Sequence, residues 1–174
     1  MMTFPRSEAQ GPATQPEQFP GVDNVVHYDE GVFVGYRYYD EFAQEPLFPF
    51  GYGLSYTTFT LDGLSVRGRA AAGRYKVSVR VRNTGTRRGS EVVQLYVGFP
   101  DSIEGPPNQL KGFAKVTLDP GKSRRIKMKL DPSSFAHWST TESAWVVEPG
   151  AYALRVGTSS RDLVLEREVA IEPR

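Results

Sequence analysis

Tyr75-Lys76-Val77-Ser78-Val79-Arg80-Val81-Arg82 alternates without a fault. Tyr75, Val77, Val79 and Val81 share one parity, and Lys76, Ser78, Arg80 and Arg82 share the other. A period of two marks a strand with one buried face and one wet face. The β-branched valines favour pleated backbone over helix. Asn83-Thr84-Gly85 follows with turn chemistry, so the chain reverses there.

The same grammar extends to the C-terminus. Residues 91–98, EVVQLYVG, are apolar on both parities, which predicts a central strand. Leu110 to Leu118 reads as another strand, closed by the turn Asp119-Pro120-Gly121-Lys122. Ile126, Met128 and Leu130 then alternate against Arg125, Lys127 and Lys129. Trp145-Val146-Val147 leads through Glu148-Pro149-Gly150 into an inward row of Tyr152, Leu154 and Val156. A last strand is expected from about Leu163 to Ile171. Seven or eight short strands with turns between them and almost no helical periodicity predict a mainly β fold. The economical solution is an immunoglobulin-like, antiparallel two-sheet sandwich.

Upstream the composition changes twice. Residues up to about Gly31 are rich in Pro, Gln, Glu and Gly, with prolines at 5, 12, 16 and 20, and read as extended or disordered on their own. Residues 32–59, VFVGYRYYDEFAQEPLFPFGYGLSYTTF, are dense in rings but broken by Gly35, Pro46, Pro49, Gly51 and Gly53. Such a segment is expected to be irregular chain pinned by buried aromatics, and its rings need a surface to pack on.

Twenty-one basic and 20 acidic residues leave a net charge of +1, so no overall field gathers nucleic acid or an anionic membrane. No apolar run approaches bilayer length. The first residues lack the basic stretch and apolar run of a signal peptide, which gives the expectation of a soluble chain without an address label. There are no cysteines, hence no disulfide, thiolate metal site or cysteine nucleophile, and the compartment is left open.

Two stretches carry a resemblance. Tyr28-Asp29-Glu30-Gly31-Val32-Phe33-Val34-Gly35-Tyr36-Arg37-Tyr38-Tyr39-Asp40, followed by Pro46-Leu47-Phe48-Pro49-Phe50-Gly51-Tyr52-Gly53-Leu54-Ser55-Tyr56-Thr57-Thr58-Phe59, resembles the segment closing the second, α/β-sandwich domain of glycoside hydrolase family 3. That family includes β-glucosidases and β-xylosidases. Val81-Arg82-Asn83-Thr84-Gly85, Gly89, Glu91 to Val97, Leu110-Lys111-Gly112-Phe113, Glu148-Pro149-Gly150 and Val156 to Asp162 look like its C-terminal fibronectin type III-like domain. The resemblance implies a division into residues 1–57, the tail of the α/β-sandwich domain, and 58–174, the fibronectin type III-like sandwich. It implies a non-catalytic accessory region whose partners are the catalytic domains of a parent glycosidase. In the family the nucleophilic aspartate lies in an N-terminal barrel domain and the acid/base glutamate earlier in the second domain. The matching portion begins after both, so no catalytic, cofactor-binding or metal residue is carried onto this sequence.

The remaining candidates carry chemistry of their own. A retaining glycosidase needs two carboxylates about 5–5.5 Å apart. Asp29, Glu30, Asp40 and Glu41 are the acids nearest the rings, but capping turns or pairing with Arg37 is the better expectation. Tyr36, Tyr38, Tyr39, Phe48, Phe50, Tyr52, Tyr56 and Phe59 are expected to be buried anchors. The alternative is a sugar-stacking platform, the possible carbohydrate contact of an independent binding or protein-interaction module. His27 and His137 are isolated and support neither a metal site nor a triad. Phe135 and Trp138 are expected to cap one end of the sandwich. Glu91 is expected to bond turn amides or pair with Arg87 or Arg88. The loop from Phe99 to Gln109 is the longest break between strands and the best placed to reach a partner. Basic residues from Arg67 to Lys129 sit on outward positions or turns and read as a solvated, edge-protecting face, not a nucleic-acid site.

Overall fold

The computed structural model describes residues 2–172. Its centre is the sandwich that the alternation predicts. One sheet has three strands in the order β1 (Phe59–Arg69), β2 (Arg74–Asn83) and β5 (Ser123–Leu130). The other has four, ordered β4 (Gln109–Leu118), β3 (Gly89–Gly98), β8 (Gly150–Gly157) and β9 (Leu165–Ile171). Every neighbouring pair is antiparallel. Three-on-four antiparallel sheets make a fibronectin type III-like sandwich.

The register places each inner row. Val77 pairs with Met128 and Val79 with Ile126, while Leu95 pairs with Val156 and Val97 with Leu154. All eight are buried, six of them completely. Removing a side chain of this size from water contributes roughly 1.5–3 kcal/mol. The inner rows alone therefore outweigh any single polar contact elsewhere. Tyr152 is the third residue of β8, and its hydroxyl donates to the Glu148 carbonyl at 2.8 Å, so the chain turns the corner around a tyrosine. Its ring meets Phe135 and Phe99 edge-on at 5.2 and 5.5 Å.

Three details depart from the sequence expectation. β1 was not singled out because Gly63 and Gly68 interrupt its pattern; a bulge between Asp62 and Ser65 absorbs the irregularity, with Gly63 at φ +61°. Trp145 does not lead into a sandwich strand. It lies in β7 (Ala144–Val146), which pairs only with β6 (His137–Ser139) in a two-stranded hairpin. Phe135 is fully buried, as a cap should be, but Trp138 is half exposed and stacks edge-to-face on exposed Trp145, 5.8 Å away. Three-residue strands are too short to fold both indoles back onto the core.

Ahead of the sandwich, residues 36–41 form a short helix α1 (Tyr36–Glu41) inside the aromatic segment expected to be irregular. The earlier chain is turns and bends, tied down where Phe4 N–H donates to the Phe48 carbonyl and the Arg6 and Gln10 side chains donate to the Glu45 carbonyl.

Asn83 stitches this extension to both sheets. Its side-chain oxygen accepts from the Thr57 hydroxyl at 2.6 Å and the Gly85 N–H at 3.1 Å. Its amide donates to the Arg87 and Leu118 carbonyls at 2.7 and 3.0 Å. Asn83 itself lies at zero exposure. Asn83→Ala leaves four hydrogen-bonding groups without this partner and should cost about 3 kcal/mol in chemical denaturation, and Asn83→Asp, which sets a buried carboxylate against the Arg87 and Leu118 carbonyls, should cost at least as much near pH 7.

Candidate functional site at the seam between extension and sheet

β3 is buried on both faces, as EVVQLYVG predicts, but the second cover comes from the extension. Val93, Leu95 and Val97 point into the sandwich. Gln94 and Tyr96 point outward, and both are 0% exposed. Helix α1 supplies the lid. Residues at i, i+3 and i+4 share a helical face, so Tyr36, Tyr39 and Asp40 turn together. Tyr36 packs edge-on to Tyr96 at 5.8 Å and against Phe50 at 5.2 Å, and its hydroxyl accepts the Leu110 N–H at 2.9 Å. Tyr39 is buried.

Gln94 organises the polar half of the seam. Its amide donates to the Thr158 carbonyl at 2.7 Å, and its oxygen accepts the Tyr96 hydroxyl. Gly51 lies directly on it. A Cβ there would sit 2.1 Å from Gln94 Nε2, and φ is +85°, so no other residue fits.

The loop between β8 and β9 holds the extension from the side. Ser160 N–H donates to the Phe50 carbonyl at 2.9 Å. The Arg161 guanidinium donates to the Tyr39 and Gln44 carbonyls at 2.8 and 2.7 Å. It also faces the Asp40 carboxylate, 3.5 Å away. The Asp40 side chain is only 5% exposed. Burial raises its carboxyl to about 6, against the opposing pull of Arg161 and the Asn108 amide. Asp40 therefore pairs with the sandwich and not with Arg37.

The other candidates scatter. Asp29 and Glu41 are exposed and Glu30 half-buried, while Asp40, sealed under Arg161, offers no face to a sugar. His27 is exposed, and His137 stands 3.6 Å from Glu148. Glu91 bonds a backbone amide, that of Val92, at 2.9 Å; burial raises its carboxyl, with Asp162 adding repulsion. Arg88 turns to Asp119 instead, at 3.6 Å on the surface. Among the described residues no three histidine or carboxylate side chains gather as a metal site. No helix among them is long and apolar enough to cross a membrane. The loop 99–108 folds onto the sandwich, burying Ile103 and Pro106.

The aromatics divide between two sides. Tyr36, Tyr39, Phe50 and Phe59 pack against the sandwich, whereas Phe48, Tyr52 and Tyr56 are exposed. Leu54 and Tyr56 are 90% and 92% exposed, and Phe19, Tyr28, Val25 and Leu47 are open too. Arg161 and Gln94 were not assigned roles from sequence. Gln94 left a signal, as the one polar residue inside a strand apolar on both parities; Arg161 left only its place in a turn.

A fibronectin type III-like sandwich carrying a docked, two-sided aromatic extension defines the class. Residues 91–160 match the family model for the fibronectin type III-like domain. The chain is 44% identical over 172 residues to thermostable β-glucosidase B of Acetivibrio thermocellus, covering 97% of this chain and 22% of that protein. It is 46% identical to an exo-α-(1→6)-L-arabinopyranosidase of Bifidobacterium breve over 88% of this chain and 20% of that one. The crystal structure of a family 3 β-glucosidase from Bifidobacterium adolescentis superposes with a TM-score of 0.91 at 41% identity, over 98% of this chain and 25% of that one. The chain thus spans about a fifth to a quarter of the length of these relatives. It corresponds to the C-terminal part of glycoside hydrolase family 3 β-glucosidases.

The seam gives a pH signature of known sign. Asp40 is raised in the folded chain relative to an unfolded carboxyl near 4, so the folded state holds that proton more tightly. Its contribution therefore falls as pH rises from about 4 to about 6, on the order of 2–3 kcal/mol. Denaturation curves across that range should show Asp40→Asn losing this slope. Gly51→Ala should release the extension, seen as proteolysis within residues 28–56, while the sandwich stays folded.

Proposed function

We propose that this chain is a non-catalytic accessory region of a family 3 glycoside hydrolase. It packs against and stabilises the catalytic domains, whose activity is retaining hydrolysis of terminal β-glycosides. One observation carries this reading. The extension has two sides, one seamed to the sheet through Tyr36, Asp40 and Gly51 and the other presenting Leu54, Tyr56, Tyr28 and Phe19 to solvent. Large apolar side chains exposed in such number mark interaction surfaces. The similarity of the whole chain to the last part of β-glucosidases supplies the occupant: the rest of such an enzyme.

The chemistry agrees. Of the two carboxyls that burial raises, Asp40 is locked into the seam under Arg161 and Glu91 bonds the Val92 amide. The sandwich then acts as a rigid clamp that fixes the end of the preceding domain through β3 and the β8–β9 loop.

Purified alone, the chain should show no turnover of aryl β-glucosides. The catalytic part of the Acetivibrio relative, cut ahead of the matching stretch, should bind the chain when supplied separately and gain resistance to heat. Leu54→Ser with Tyr56→Ser should weaken that association at least tenfold, since each buried side chain is worth roughly 1.5–3 kcal/mol. Turnover by the isolated chain that disappears on changing Asp29, Glu30 or Asp40 would refute the proposal.

A further inference from the structure

Cations dominate the outer face of the three-stranded sheet. Register sets Arg69 opposite Arg74, Arg67 opposite Lys76, Lys76 opposite Lys129, and Arg80 opposite Arg125. Arg82 and Lys127 complete the outward rows, making nine basic side chains on this face. Asp62 is the one acidic residue among those rows, and it pairs with Arg80 at 2.7 Å. The sequence holds 21 basic and 20 acidic residues, so twelve basic and nineteen acidic residues are left for everything else. A chain with a net charge of +1 is in fact strongly polarised.

Like charges directly opposite one another on a sheet are destabilising, and four such pairs occur here. Edge protection explains one or two lysines on an outer strand; it does not explain repulsion concentrated on the central strand β2. The face is also shaped. The Gly63 bulge and the Arg125 guanidinium, which donates to the Gly63 carbonyl at 3.0 Å, border a hollow of about 500 Å³ over Arg67, Lys76 and Lys127. A second hollow, of about 870 Å³, continues it over Arg67 and Lys76 towards Leu130.

We propose that this groove binds a linear acidic polysaccharide, its carboxylates on Arg67, Lys76, Arg125 and Lys127 and its hydroxyls on Ser65 and Ser78. Position separates this site from the seam. The extension packs on the outer face of the four-stranded sheet over Gln94 and Tyr96, and the basic face is the outer face of the other sheet. Composition selects the partner. The outward rows hold no aromatic side chain on which bases could stack and no apolar side chain to enter a bilayer. They hold cationic forks that match carboxylates and serine hydroxyls. The site does not depend on the accessory reading, because it uses none of the seam residues.

The test titrates the whole chain with oligogalacturonate, with neutral β-glucan and with single-stranded DNA of equal charge. Oligogalacturonate should bind, weaken steeply between about 50 and 200 mM salt, and be preferred over DNA by about tenfold or more; neutral glucan should not bind. Lys76→Glu with Lys127→Glu should cut the affinity at least tenfold while leaving the thermal midpoint unchanged or raised, since it relieves repulsion. No binding near 50 mM salt, DNA bound as tightly as oligogalacturonate, or self-association of the chain abolished by the same double substitution would each overturn the assignment. Failure here leaves association through Leu54 and Tyr56 untouched, so the two proposals fall separately.

Discussion

Gln94 and Tyr96 impose the constraint on which the architecture turns. Both lie on the outward face of a central strand, and both carry polar groups at zero exposure. A buried amide without partners costs more than its hydrogen bonds return. The sandwich supplies those partners, since Gln94 bonds the Thr158 carbonyl and the Tyr96 hydroxyl, but its partner sheet covers only the other side of β3 and cannot bury this face. A second layer must therefore exist, and it has to be irregular enough to bring Gly51 against Gln94 and Tyr36 against Tyr96. Helix α1 is short for the same reason: it needs only the turn that aligns Tyr36, Tyr39 and Asp40.

Two scales of energy are set against each other across this seam. The inner rows of valine, leucine and isoleucine hold the sandwich together irrespective of what lies outside it. The seam rests on a few backbone bonds from Arg161 and Ser160, ring contacts, and a carboxylate that burial makes reluctant to ionise. A buried ion pair is weak evidence for stability, because desolvation consumes much of the attraction. Asp40 and Arg161 are better understood as fixing register. The guanidinium has carbonyls of Tyr39 and Gln44 on one side and a carboxylate on the other, so only one placement of α1 satisfies all three.

Much of this was legible in the sequence where periodicity was clean. Tyr75 to Arg82 gave the fold class, and the two-faced apolarity of residues 91–98 gave a central strand with cover on both sides. The irregular elements were harder. β1 hides because a bulge at Gly63 breaks its parity, and parity is the only signal a strand emits. Trp145 was read as leading into the last strands when it belongs to a separate hairpin; three-residue strands are too short to show alternation. The partner of Asp40 could not have been named, since Arg161 lies 121 positions away and only the closed β8–β9 loop brings it near. Sequence placed the rings correctly as anchors in Tyr36 and Tyr39, but it could not tell which side of the extension would be left open.

The charge distribution follows from the same geometry. A sandwich has two outer faces, and here the extension covers the centre of one, over Gln94 and Tyr96, and leaves Phe113, Glu166 and Glu168 exposed at its margins. The other face is uncovered, and there every second residue of β1, β2 and β5 is free to vary without touching the core. Alternation that builds the fold thus also builds a ruled surface, with side chains about 5 Å apart across strands and roughly 7 Å apart along them. Nine cations share that lattice with one acidic residue, Asp62, and Asp131 borders it beside Lys129. Neutral overall charge and a concentrated field are therefore compatible, and a net charge of +1 is silent about partners that meet one face only.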